Sequence, residues 1–171
     1  MRFTLVSLLT LAVVCAGCGA GEDDDTLPMP EDSLYSLVVR TDFTDDAAWS
    51  AVRSAIAAPV GLDRVSGDFD FQAHLEFADD RRYEGMTVDQ LLARVPEGSH
   101  HPVFFVVDHQ TLTDPDHPVL AVDLDSEPGR TFRVIPSWMW DVQNNLAISN
   151  TDWESYPDAA GEDGVYRGWE Q

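Results

Sequence analysis

Residues 102–108, PVFFVVD, constrain the fold more than any other part of the chain. The run is apolar at every position between Pro102 and Asp108, it is too short for a stable helix, and it is rich in β-branched and aromatic residues. Because successive side chains of a strand point to opposite faces, an uninterrupted apolar strand must be covered on both faces. We therefore expect this strand at the centre of a sheet that packs on both sides.

The remaining elements are predicted from their periodicity and their capping residues. Alternation and apolar content predict strands at 36–43, 69–77, 119–124 and 131–135, with Pro128 and Gly129 in the turn between the last two. Helical spacing predicts helices after Thr44 as N-cap, after a Thr87–Gln90 capping box, over 137–149, and after a second capping box at 151–154. This order predicts a single domain of the α/β or α+β class, a mixed sheet of about five strands with three to four helices packed on it.

The first 33 residues are predicted to form a targeting signal followed by a linker. Arg2 and the apolar run that follows it are typical of a secretory signal, which is too short to span a bilayer. Small residues before Cys18 resemble a bacterial lipobox, which implies a lipid on Cys18 and removal of residues 1–17. An ordinary cleaved signal is one alternative, and a redox or zinc use of Cys15 and Cys18 is another, although the chain has no further cysteine. The acidic residues 18–33 are predicted to form a flexible tether, with the globular domain at 34–169.

The charge of the chain limits its partners. The formal net charge is −21, and all ten basic residues are arginines. A chain this acidic repels phosphate backbones, so we expect no nucleic-acid partner. The lack of lysine excludes a Walker A site and Schiff-base chemistry. The expected partners are the membrane, through the lipid, and a protein partner that is basic; no cofactor is expected.

Six segments together carry a resemblance to a known family: VVRTDF, YEGMTVDQLL, TLTDPDHPVLAVDL, PGRTFRV, NNLAISNTDWE and DGVYRG. The chain resembles, over residues 34–169, an uncharacterised domain family of high-GC Gram-positive bacteria. That family has no assigned activity. The resemblance therefore implies one intact domain and assigns no catalytic residue.

The candidate site with the most specific structural prediction is a group of carboxylates at the ends of two strands. Asp42 follows the first strand, and Asp108 and His109 follow the central one. Ligands of open α/β sheets bind outside the carboxyl ends of parallel strands. If the two strands are parallel neighbours, Asp42, Asp108 and His109 meet as candidate catalytic residues, and Arg40 or Thr41 can join them. The alternative is that Asp42 belongs to the cap region of the next helix and Asp108 begins a turn.

Two further sets of residues are weaker candidates. His109, Asp114, Asp116 and His117 are possible metal ligands, but their spacing matches no known metal motif and Asp114-Pro115-Asp116 is also a turn sequence, so no metal is expected. Trp140 and Asn144 lie off the apolar stripe of the third helix and could contact a partner. Alternatively, the C-terminal segment 165–169 covers Trp140, which is the arrangement we expect.

These observations favour a membrane-anchored binding or interaction module without enzymatic activity, for example an inhibitor that meets a basic toxin. The alternative is a carboxylate- or metal-dependent hydrolase at the cell surface, because such enzymes leave no local motif. The two differ in the site they need. An enzyme requires a concave pocket where Asp42, Asp108 and His109 converge, whereas an interaction module requires a flat acidic or aromatic surface.

Overall fold

The computed structural model describes residues 25–61 and 70–169. The predicted signal peptide and Cys18, the predicted site of the lipid, lie outside the described residues. The strands are β1 Ser36–Arg40, β2 Val60–Gly61, β3 Asp70–Phe71, β4 Leu75–Ala78, β5 Val103–Val107, β6 Val119–Asp123, β7 Thr131–Val134 and β8 Val165–Tyr166. The helices are α1 Asp46–Ile56, α2 Val88–Leu92, α3 His109–Thr113, α4 Met139–Ala147 and α5 Ser155–Asp158, with 3-10 turns at Arg81–Tyr83 and Pro136–Trp138. None of the helices in this part of the chain is long and apolar enough to cross a membrane.

A mixed sheet of six strands organises the domain, in the order β4-β1-β5-β6-β7-β8. Strands β4, β1 and β5 run parallel, β6 and β7 continue antiparallel, and β8 lies parallel to β7. In the β1–β5 register, Val38 lies opposite Phe105 and Arg40 opposite Val107. Strands β2 and β3 pair separately as a small hairpin. The predicted single domain with a mixed sheet is confirmed, as an α+β fold.

Strand β5 is the centre of the sheet, and all five of its residues are buried. Phe105 faces one core, where it joins the apolar faces of α1 and α4. Phe104 faces the other core, with Tyr83 from a 3-10 turn and Leu91 from α2. The covering of both faces explains why the strand is apolar at every position.

Helix α1 shows how local chemistry sets an element boundary. Its N-cap is Asp45, whose carboxylate accepts from the amides of Ala47 and Ala48, both at 2.9 Å. The prediction of Thr44 as the cap is therefore wrong by one residue. The Thr44 hydroxyl instead donates to Asp42 at 2.6 Å. The Thr87–Gln90 capping box of α2 is confirmed, with both of its hydrogen bonds present.

The second predicted capping box does not form. Helix α5 begins at Ser155 and has no side-chain cap. Glu154 instead pairs with Arg130, with its Oε1 at 2.7 Å from Nη1. A long-range ion pair has thus replaced the local contact that the spacing of Thr151 and Glu154 suggested.

The alternating segment 69–77 forms two strands instead of one. Residues 70–71 pair with β2, while residues 75–78 pair with β1. Between them, the His74 amide donates to Gln143 Oε1 at 2.8 Å, a bond to α4 instead of to a strand. Alternation indicates which face a side chain takes but does not determine the partner strand, so the break was not visible in the pattern.

Residues 25–35 lie against the domain, and we call them the strap. Leu27 is 1 % exposed and belongs to the same core as Phe104. Its amide donates to the Arg94 carbonyl at 2.7 Å, and Arg94 Nε lies 3.0 Å from Asp25 Oδ1. The part of the predicted tether that the structure describes is therefore docked at Leu27 and Pro30, whose buried side chains supply apolar surface within an acidic stretch.

Candidate functional site

The ends of β1 and β5 lie side by side, as the parallel pairing of these strands requires. The ladder continues beyond β1, since the Thr41 amide donates to the Val107 carbonyl at 2.9 Å. The next residues of the two strands, Asp42 on one side and Asp108 and His109 on the other, therefore reach the same edge of the sheet. They border an open cleft of about 480 Å³, the strand-end cleft. It is lined by Thr41, Asp42, Phe43, Thr44, Glu84, Gly85, Met86, Asp108 and His109.

Asp42 and His109 form a hydrogen-bonded pair in the cleft. Asp42 Oδ2 lies 2.8 Å from His109 Nδ1, and the side chains are 9 % and 76 % exposed, respectively. Oδ1 of Asp42 accepts from the Thr44 amide at 2.7 Å and from its hydroxyl at 2.6 Å. Burial alone would raise the pKa of Asp42, but the hydrogen bonds from Thr44, and then from His109, hold it below its ordinary value.

The ionised Asp42 determines which nitrogen of His109 carries a proton. A carboxylate only accepts, so Nδ1 must be the donor. In the neutral ring this tautomer leaves the Nε2 lone pair to accept from a ligand. The pair therefore presents an exposed imidazole whose orientation is set by a buried carboxylate.

Asp108 lies in the same cleft but is held by different partners. Its Oδ2 lies 2.6 Å from Arg133 Nη2, and its Oδ1 accepts from the Thr111 amide at 3.0 Å as the N-cap of α3. Burial would raise the pKa of Asp108, but these bonds from Arg133 and Thr111 lower it. Arg133 is also 2.8 Å from the Pro118 carbonyl, which ties β7 to this edge. Asp108 is thus a structural anion that begins α3 and thereby positions His109.

Arg40 is buried next to the cleft and contacts residues of its wall. Its side chain is 4 % exposed, with Nη2 at 2.6 Å from Asp46 and Nη1 at 3.2 Å from Asp79. Its Nε donates to the Asp42 carbonyl at 2.8 Å, and its guanidinium lies 4.2 Å from the Phe43 ring. These contacts fix the Asp42 carbonyl and the Phe43 ring at the end of β1.

Sequence reasoning missed the third wall of the cleft, residues 84–86. The Gly85 amide donates to the Thr41 carbonyl at 2.9 Å, which brings this loop over the end of β1. Gly85 has a φ of +69°, a conformation that favours glycine. The sequence did contain one indication of a turn here, the glycine just before the Thr87 capping box. It did not indicate that the loop packs over the end of β1.

The structure does not bring the four weak metal candidates together. Asp114 accepts from the Asp116 amide at 2.9 Å, and Asp116 pairs with Arg167 at 2.9 Å. His117 Nδ1 lies 2.9 Å from the Thr111 carbonyl, while His109 pairs with Asp42. Within residues 25–61 and 70–169, no group of three or more His, Cys, Asp or Glu side chains could hold a metal ion.

Trp140 is partly buried, and its ring contacts come from the β2–β3 hairpin and from the 3-10 turn that precedes α4. The ring centroid lies 4.4 Å from that of Phe71 and 6.0 Å from that of Trp138. The Asn144 amide reaches the Gln72 carbonyl at 3.5 Å. The C-terminal segment packs on Trp138, since a Cβ on Gly168 would lie 2.3 Å from that ring. Phe71 and Trp138 therefore pack on the Trp140 ring, and the cover that we expected from residues 165–169 stays a prediction.

The arginines of the described chain are all engaged. Seven of them lie within 4.0 Å of a carboxylate: Arg40, Arg81, Arg82, Arg94, Arg130, Arg133 and Arg167. Arg53 lies over the Phe77 ring at 4.8 Å. The surface of this part of the molecule therefore offers acids rather than a basic patch.

The comparison with known sequences adds one finding to this geometry. No curated protein is similar enough to the chain to count as a match. A family profile matches residues 35–169, which includes every strand and helix described above. The chain therefore belongs to the family described as domain of unknown function DUF6924.

Proposed function

We propose that this protein is a lipid-anchored lipoprotein on the extracytoplasmic face of the cell membrane, and that its domain is a binding module. The support for the anchor is the signal-like run before Ala16, Gly17 and Cys18. Two acyl chains on one cysteine would meet the two-signal requirement for stable membrane attachment.

The strand-end cleft is the ligand site in this proposal, and the observation that carries it is the Asp42–His109 pair. A ligand that enters the cleft meets an exposed imidazole and, on the same lining, the carboxylate of Glu84, whose Oε2 lies 3.0 Å from Arg81 Nη1. Three of the lining residues are acids and none is an arginine. Phe43 and Met86 add apolar surface to the wall.

This lining suits a positively charged group with an apolar stem, such as a lysine or arginine side chain of a protein partner. The N–H groups of the cation would donate to Nε2 of His109 and to Glu84, replacing Arg81 in a solvent-exposed ion pair that contributes little stability. The stem would lie along Phe43 and Met86, as long cationic side chains do on apolar surface. Asp108 contributes less, because Arg133 already balances its charge. The net charge of −21 would steer such a partner toward the protein.

A titration followed by NMR tests this proposal. The probes are two peptides of equal length, one rich in lysine and arginine and one rich in glutamate. We expect the basic peptide to shift the amide signals of residues 41–44, 84–86 and 108–109, and the acidic peptide to leave them unchanged. Shifts confined to other surfaces, or equal shifts with both peptides, would contradict the proposal.

His109→Ala provides the matched variant. It should weaken binding of the basic peptide, whereas His100→Ala, at an exposed histidine outside the cleft, should not. The salt dependence of binding gives a second readout, since an electrostatic contact weakens as ionic strength rises.

A second candidate function is hydrolysis at the cell surface, and the same pair is the observation that favours it. An imidazole held by a buried carboxylate is the arrangement of a general base, and here it would take a proton from water. The role of Asp108 would then be to position α3, because both of its oxygens accept hydrogen bonds from Arg133 or Thr111. Turnover of a panel of ester and glycoside substrates that disappears in His109→Ala and persists in His100→Ala would establish this function.

A further inference from the structure

The strap has a direction relative to the sheet, and its contacts define that direction. Leu27 lies in a pocket with Ala78 and Asp80, at the carboxyl end of β4. Pro30 lies instead near His101, which precedes the amino end of β5. Since β4 and β5 both run parallel to β1, the strap runs antiparallel to them and joins β1 at Ser36.

The end of the strap that leads to the N-terminus therefore lies toward the carboxyl edge of the sheet, which is also the edge that holds the strand-end cleft. The contacts of Leu27 show that this end of the strap lies close to the cleft. Leu27 packs with Tyr83, and Glu84 and Gly85, which follow Tyr83 directly, line the cleft. The hairpin turn at residues 124–130 lies at the opposite edge, because Asp123 pairs with Val103 at the beginning of β5. Five residues of β5 separate the two edges by about 17 Å.

The chain that leads from the strap to Cys18 is short. Asp25 is held by Arg94, so only residues 19–24 lie between the docked chain and Cys18. A chain of this length spans at most about 25 Å even when fully extended. If the whole segment 18–33 were free, the reach would be about twice as long, and either edge of the domain could approach the bilayer.

We infer that the strap orients the anchored domain so that its strand-end cleft faces the membrane. The inference rests on the lipid anchor of the proposed function. It identifies the kind of partner as a protein that is itself held at the membrane and that presents a basic segment within about 25 Å of the bilayer surface.

Energy transfer to the bilayer tests the orientation. The mature chain would carry no thiol other than the lipidated Cys18, so a single new cysteine can be labelled cleanly. The donor dye is placed on Glu84→Cys beside the cleft or on Ser126→Cys at the opposite edge, both at exposed positions. The lipidated protein is reconstituted into vesicles of phosphatidylethanolamine and phosphatidylglycerol that contain a rhodamine-labelled lipid as acceptor. We expect higher transfer efficiency from position 84 than from position 126. Equal or reversed efficiencies would overturn the inference.

Two further measurements separate the strap from the anchor. Leu27→Asp should release the strap and abolish the difference between the two positions; a difference that persists would mean that the strap does not set the orientation.

A soluble mature chain with Cys18→Ser, doubly labelled at Thr26→Cys and either position 84 or position 126, measures the same geometry without lipid. Position 26 should lie closer to 84 than to 126, and the opposite order would overturn the inference while leaving the anchor intact. Failure of the wild-type chain to attach to vesicles at all would overturn the anchor and the inference together.

Discussion

Asp42 and Asp108 carry the same carboxylate at the same edge of the sheet, yet their partners give them different roles. Asp42 is stabilised by Thr44 and by an exposed histidine, so the pair can meet a ligand. Asp108 is stabilised by Arg133 and by the first turn of α3, so its negative charge is already balanced within the protein. The sequence placed both residues at strand ends correctly, and the parallel pairing that brings them together is present. It could not show that Arg133, 25 residues away, would take up one of the two carboxylates.

Asp108→Asn should lower the free energy of unfolding at pH 7 by about 2 kcal/mol, because Arg133 loses the charged acceptor of its hydrogen bonds. The pKa of Asp108 is lowered in the folded state, so its stabilising effect is complete above the unfolded pKa and is lost as the pH falls through the folded pKa. The variant should therefore approach the wild type as the pH is lowered below about 4. Urea unfolding at pH 7 and pH 3 measures this, with Asp125→Asn as an exposed control. A loss of stability that is the same at both pH values would contradict the assignment.

Asp141 gives the opposite case of a carboxylate without a cation. Its Oδ2 accepts from the Tyr166 hydroxyl at 2.7 Å and from Trp169 Nε1 at 3.1 Å, and its Oδ1 accepts from Asn145 at 2.9 Å. These bonds tie α4 to β8 and the C-terminal segment. Burial raises the pKa of Asp141, and the bonds from Tyr166, Trp169 and Asn145 only partly oppose the effect.

Because the folded pKa of Asp141 is raised, its favourable contribution is complete below the unfolded pKa and is lost as the pH rises through the folded pKa. Asp141→Asn removes this titration. We therefore expect the difference in unfolding free energy between the variant and the wild type to shift in favour of the variant between pH 4 and pH 7. Chemical denaturation across this range measures the shift. A difference that is constant with pH, or that moves in favour of the wild type, would mean that Asp141 does not carry a raised pKa.

Among the elements, β5 was the most predictable, and α3 and β8 were among the least. A short strand that is apolar at every position between Pro102 and Asp108 must bury side chains on both of its faces, so the sequence already indicates a central strand. Helix α3 and strand β8 were missed because each has five residues or fewer and depends on distant partners. Strand β8 exists because its residues pair with Arg133 and Val134, and no local pattern carries that information.

Phe105→Ala should lower the free energy of unfolding by about 3–5 kcal/mol, since the ring is fully buried and its loss leaves a cavity. This is a large share of the roughly 5–15 kcal/mol that stabilises a typical domain. Thermal and urea unfolding measure the effect. Leu34→Ala, at a side chain that is 46 % exposed, is the matched control and should leave the midpoint almost unchanged. An unchanged midpoint for Phe105→Ala would remove Phe105 from the core.

At the scale of the whole molecule, the sequence could not predict the contacts that dock residues 25–35 on the domain. Composition predicted a free tether over residues 18–33, since acids and prolines dominate that stretch. The structure shows residues 25–35 docked on the domain by the apolar side chains of Leu27, Met29 and Pro30 and by the contacts of Leu27 and Asp25 with Arg94. Such docking depends on the shape of a groove between distant elements, and a window of local composition does not contain it. Strand order and the β4–β1–β5 neighbourhood depend on tertiary packing in the same way.

The membrane anchor is a prediction about the whole molecule, and it depends on one sulfur atom. Cys18→Ser removes the site of the predicted thioether, so the variant should leave the membrane fraction, which fractionation and immunoblotting measure. Cys15→Ser is the matched control, because it changes the neighbouring thiol in the segment that signal cleavage would remove, and it should stay bound. A Cys18→Ser protein that is processed at the signal and still sediments with membranes would show that the lipobox assignment is wrong. Mass spectrometry of the wild-type N-terminal peptide identifies the species directly, since a lipidated Cys18 should be the first residue and should carry the added mass of the acyl chains.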